Sequence, residues 1–193
     1  MNVESILPVT VIAAILLFAL KETIEFFKRR GERQRKITAY KQLILEELRK
    51  NAWTVDSLKE MCRLIAEPDF TAMSYYKSPA GTERIRFNIK KLSESNTLCP
   101  VHTSVFEKVY VGLAETDKDL FAAVSRVYEK LAEANHVRNH FINLSEDDEI
   151  KHFVKGLPSY GTARLEECED AMDALCLQIS GGPLSKIKLK AYV

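Results

Sequence analysis

Residues 6–20, ILPVTVIAAILLFAL, pass without one charged side chain, and no other stretch restricts the fold of this chain as strongly. As a helix the run is about 22 Å long, short of the ~30 Å hydrocarbon core of a bilayer. Its flanks lengthen it: Val3 precedes it, and Ile24, Phe26 and Phe27 follow. Lys21 carries a methylene stem able to snorkel its ammonium to an interface, and a bilayer thins around a short helix at modest cost. The run has no polar face, which disfavours an amphipathic core helix. A cleaved signal peptide is disfavoured as well, because residues 1–5 hold Glu4 and no Lys or Arg, and Phe18-Ala19-Leu20-Lys21 makes a poor cleavage site. The run therefore predicts an uncleaved transmembrane helix.

Directly after it the chain turns basic. Lys28, Arg29, Arg30, Arg33, Arg35 and Lys36 form a collar opposed only by Glu22, Glu25 and Glu32. Positive charge beside a span predicts a cytoplasmic collar, and with it a single-pass inner-membrane protein with its amino terminus outside. Such collars bind anionic headgroups or phosphate, each residue contributing on the order of 1 kcal/mol. The net charge of +1 leaves no global field for nucleic acid, so nucleic acid is not favoured as a partner. The expected division is 1–5 as an external terminus, 6–27 as the span with its interfacial extension, 28–36 as the collar and 37–193 as a cytoplasmic domain. That last part is long enough for one core.

The fold class expected is mostly α: one N-terminal transmembrane helix, then a cytoplasmic α-helical bundle with a minor β element. Gly31 is the expected place for a bend. Ile37, Tyr40, Leu43, Ile44 and Leu48 recur at helical spacing, with Glu46, Glu47 and Arg49 off that stripe. Thr54 reads as the N-cap of a second short helix, with Trp53 and Leu58 as a hydrophobic staple and Pro68 as its end. Ile85, Phe87 and Ile89 alternate with polar residues after the turn Ser78-Pro79-Ala80-Gly81, which predicts a small hairpin, although a helix also fits residues 70–92. Residues 93–100 read as a loop. Thr103 or Ser104 caps the next helix. Thr116 or Asp117 then opens the longest one, with Leu120, Val124, Val127, Leu131, Ala134, Val137, Phe141 and Leu144 facing inward. Ser145 ahead of Glu146, Asp147 and Asp148 reads as another helix start. Gly156-Leu157-Pro158 stops that helix, and a last one runs over 159–179 to Gly181. The tail, 184–193, alternates and predicts a strand or a docking segment.

Chemistry-bearing residues are sparse. Cys62, Cys99, Cys168 and Cys176 contain no C-x-x-C pair, and Cys168 and Cys176 read as core residues. Two Glu-x-x-His triplets, Glu133/His136 and Glu149/His152, have the spacing of di-iron bundles, but the two further Glu ligands such a site needs are not identifiable. His136 and His140 form a separate i, i+4 pair. Cys99 and His102 raise a Cys–His nucleophile with nothing nearby to orient it. Neither an enzyme nor a cofactor is expected.

One helix cannot enclose a conduit, so transport requires self-association. Thr10, Ala13, Ala14, Leu17 and Lys21 lie along one side of the run and predict the packing face. In this layout, and in the stretch 120–139 with Tyr128, Leu131 and Asn135, the chain resembles the single-pass transmembrane effectors of bacterial anti-phage defence systems. The resemblance implies an oligomeric, channel-like or membrane-permeabilising effector, gated when a regulatory partner or small ligand reaches the helical domain, with Thr10 and Lys21 lining the passage. The competing expectation is a membrane-tethered adaptor whose bundle binds a protein partner. The bilayer and further copies of the chain are the expected partners in the first case.

Overall fold

The computed structural model describes residues 9–90, 92–146 and 151–186. Its longest element, α1 (Val9–Ala66), is one unbroken helix of 58 residues, about 87 Å from end to end. No proline lies inside it, and Pro68 follows its last turn. The helix continues through Gly31 without a break. The cost of one glycine, about 1 kcal/mol against alanine, is spread among the strong helix formers on either side.

The membrane expectation is overturned by this helix. Within α1 the uncharged stretch covers 9–20, about 18 Å of rise, and Lys21, Glu22 and Glu25 then interrupt it. Residues 6–8 of the apolar run lie outside the described residues. Among those described, no helix is long and apolar enough to cross a membrane. The transmembrane helix and the single-pass inner-membrane placement are corrected to a mostly helical fold with a small sheet.

The body begins at Ile37, the first buried residue of α1. Ile44, Leu48, Val55, Leu58, Met61 and Cys62 carry its buried stripe onward. The second helix expected to start at Thr54 is the continuation of α1, and Thr54 is fully buried inside it. After Pro68 the chain forms β1 (Phe70–Lys77), β2 (Glu83–Ile89) and β3 (Leu92–Thr97), an antiparallel meander in the order β1-β2-β3. The expected hairpin is present, and Gly81 closes its turn at φ +79° by donating its N–H to the Ser78 carbonyl at 2.8 Å. The expected loop over 93–100 is instead mostly strand, paired to β2 from Leu92↔Ile89 to Thr97↔Arg84.

Three helices complete the bundle: α2 (Ser104–Thr116), α3 (Lys118–Glu146) and α4 (Leu157–Ser180). The whole inward stripe expected of α3 is buried, and Phe141 meets Phe87 of the sheet edge-on at 6.4 Å. Asp117 caps α3 by accepting the Leu120 N–H at 3.0 Å. Ser145 does not open a new helix. Its hydroxyl donates back to the Phe141 carbonyl within the last turn of α3, and a short 3-10 turn, Lys151–Gly156, leads into α4. Gly181 ends α4 at φ +73°, donating to the Leu177 carbonyl at 2.9 Å. The tail beyond residue 186 lies outside the described residues.

Two features fix how these helices meet. Glu47, expected off the buried stripe, is buried and caps α2 from a distance. Its carboxylate accepts the N–H groups of Val105 at 2.8 Å and Phe106 at 3.2 Å, and the Tyr128 hydroxyl. Thr103 supplies no side-chain cap of its own. Next, Gly161 lets α4 approach α1 and α3 closely, since a Cβ there would lie 2.7 Å from the Cys62 Sγ and 3.3 Å from a Val137 methyl.

Gly161→Ala is expected to lower the unfolding free energy by about 1–3 kcal/mol despite the better helix propensity of alanine. Adding Cys62→Ala should recover part of the loss, as denaturant titration of the four proteins in that cycle will measure. Burial, together with the hydrogen bond to Glu47, holds the Tyr128 phenol above the ordinary tyrosine value of 10. A group whose folded value is raised contributes stability that is present below pH 10 and lost as pH rises above it. Tyr128→Phe should therefore flatten the alkaline decline in stability by about 1.4 kcal/mol per pH unit, read from unfolding curves at successive pH values above 10.

Candidate functional site

Before α1 reaches the body it runs free. Every residue from 10 to 24 is exposed. Val11, Ile12, Ile15, Leu16, Leu17, Phe18, Leu20, Ile24, Phe26 and Phe27 show 39–67% of their surface to solvent. Together they present on the order of 1,000 Å² of apolar side chain, well above the few hundred Å² usual for the largest patch on a monomer. The expected packing residues Thr10, Ala13, Ala14, Leu17 and Lys21 all lie on this arm and are exposed. Within the helix, Glu25 takes Arg29 at 3.1 Å and Lys21 at 3.9 Å.

The collar is helical, and its six basic side chains do not act as one patch. Arg33 reaches across to the body, where its Nε donates to the Thr116 carbonyl at 2.8 Å and its Nη2 to the same oxygen. A guanidinium at the last carbonyls of α2 complements the negative end of that helix. Arg29 is held by Glu25, while Lys28, Arg30, Arg35 and Lys36 stay exposed. Arg30 and Arg33 line a groove of about 630 Å³ whose opposite wall carries Glu115, Asp117 and Asp119. Lys118 lies on the same wall as these carboxylates, an arrangement invisible in the sequence because those residues lie some 85 positions away.

The proposed Cys–His nucleophile falls in the connection between β3 and α2. Cys99 is buried and burial raises its thiol above the usual range, with a hydrogen bond to Trp53 offsetting part of the effect. Its carbonyl accepts the Nε of Arg138 at 3.0 Å, and Arg138 in turn pairs with Glu83. The main chain of His102 is clamped by Asn51, which donates to its carbonyl at 2.8 Å and accepts its N–H at 2.7 Å. These contacts hold the connection between β3 and α2.

Of the metal-like triplets, only Glu133/His136 lies fully within the described residues. Glu149 lies outside the described residues, as does the side chain of His152. Glu133 accepts the Tyr160 hydroxyl at 3.5 Å, and His136 turns to His140 rather than to a carboxylate, with the two Nε2 atoms 3.0 Å apart. The Tyr160 ring stands edge-on to both imidazoles, at 6.4 and 6.0 Å. His140 and Tyr160 also line a pocket of about 250 Å³ with Leu144, Phe153, Gly156 and Leu157. Burial, then the neighbouring His136, lowers the His140 imidazole below its ordinary value. Among the described residues, no group of three or more His, Cys, Asp or Glu is placed to hold a metal.

Burial pushes Cys62 and Cys168 up to about 12. In the folded protein at pH 8 these two and Cys99 should resist iodoacetamide, and all three should label fully once denaturant is added. Mass spectrometry of the digested protein reads the difference.

Comparison of the chain with protein-family models, curated proteins and solved structures finds no match in any of the three.

Proposed function

We propose that this chain is a self-assembling adaptor: its N-terminal arm gathers several copies into a helical stalk, and the bundle presents the surface that a protein partner reads. The observation that carries this is the exposed apolar arm. A helix that is apolar around its circumference is stable only when covered. Its ~1,000 Å² per copy matches or exceeds the roughly 800 Å² per partner of a stable interface. A single neighbour covers one stripe of such a helix, so three or more copies are expected. The small and hydroxylated residues Thr10, Ala13 and Ala14 permit close approach on one side, and at the end of the arm Glu25 pairs with Lys21 and Arg29 within the helix. The channel reading is not carried forward, because it needed a membrane-crossing helix.

Sedimentation velocity of the full chain across the micromolar range should find a complex of three or more copies. Leu17→Glu combined with Ile24→Glu should reduce it to monomer with an unchanged melting temperature, since neither side chain packs on the body. A wild-type chain that is monomeric throughout would overturn the proposal. So would a monomer that floats with lipid vesicles, because the cover for the arm would then be lipid and not a second copy.

A further inference from the structure

His136 and His140 lie one turn apart on α3 with their Nε2 atoms 3.0 Å from each other. Two nitrogens bound to one metal ion at about 2.0–2.1 Å stand about 2.9 Å apart at a 90° angle and about 3.3 Å apart at the tetrahedral angle. The observed separation falls between these values, so the two nitrogens already stand at the spacing of a chelating pair. Without metal, the pair has room for one proton between the two nitrogens, one ring donating and the other accepting. For a metal ion to use both Nε2 lone pairs, the donating ring moves its proton from Nε2 to Nδ1, so that each ring binds as neutral imidazole.

We propose that His136 and His140 form a two-histidine site for a divalent first-row transition metal, seated at the mouth of the pocket lined by His140 and Tyr160. The rings are prearranged. Tyr160, from α4, stands nearly perpendicular to both, with interplanar angles of 86° and 84°, and its hydroxyl is tied to Glu133 on the same helix as the histidines. Glu133 therefore acts through Tyr160 as a positioning residue and is not a ligand. With no third protein ligand among the described residues, the ion keeps several positions for water or for a donor group on a ligand in the pocket. An all-nitrogen pair at close to a right angle suits Ni²⁺ and Cu²⁺, which also stand high in the general affinity order. This site shares no residue with the arm, and its test is independent of assembly.

The test is calorimetric titration of NiCl₂ into tag-free, metal-free full-length protein, with the melting temperature recorded alongside. One equivalent per chain is expected to bind saturably and to raise the melting temperature. His136→Ala and His140→Ala should each weaken binding at least tenfold and abolish the thermal shift, and both variants should fold, since alanine is a strong helix former on this surface. His102→Ala and His152→Ala should bind as wild type does, and Tyr160→Phe, which frees Glu133, should weaken binding less than loss of either ligand. Absence of saturable binding in the wild type would overturn the assignment, as would an equal loss on His102→Ala or His152→Ala, or undiminished binding after His136→Ala.

Discussion

The buried carboxylate of Glu47 at the start of α2 is the contact on which the arrangement of the body rests. A connection such as the one between β3 and α2 has no ladder of its own, so its main-chain groups must find partners when they are buried. The second half of α1 supplies them from one side of a single helix. Glu47 takes the first N–H groups of α2, Asn51 takes both main-chain groups of His102, Thr54 donates to the Pro100 carbonyl at 2.9 Å, and Ser57 donates to that of Thr97 at 3.1 Å. These four residues recur every three or four positions, as an apolar stripe would, and they run alongside one. The seam fixes the register of the incoming chain in a way that nondirectional apolar contact does not.

That seam also explains why the helical pattern of α1 was hard to follow from the sequence. Polar residues at inward positions look like breaks or caps when their partners sit some fifty residues further on, and Thr54 is the clear case: a threonine before an apolar run resembles an N-cap, yet its hydroxyl serves a distant carbonyl. The strand β3 was hidden for another reason. Its sequence, LSESNT, has no buried alternation because it is an edge strand, exposed over its first half and half-buried over its second, and only pairing with β2 defines it. By contrast, the stripe of α3, the αL glycine ending α4 and the alternation of Ile85 and Phe87 were all legible, since each follows from local periodicity or backbone freedom.

At the candidate sites, the residue types could be picked out while their partnerships could not. Triplet spacing pairs His136 with Glu133, yet the side chain that reaches Glu133 comes from α4, and the imidazole faces its neighbour one turn on. The apolar run was prominent from the first. Its charge boundary at Lys21 mattered more than its composition, because three charges within five residues cut the greasy stretch of the described helix to little more than half a bilayer core. In the collar, the basic side chains were evident, and the acidic wall opposite them was not.

One consequence follows from the unbroken course of α1 between solvent and core. A rod with no joint between its free end and its packed end keeps a fixed phase between them, so the direction each face of the arm looks is dictated by side chains such as Ile44 and Leu48 deep in the body. A single residue inserted in the collar would swing every arm face by about 100° and advance it by about 1.5 Å. Whatever grips the arm thereby also aims the body, as a key shaft aims its bow.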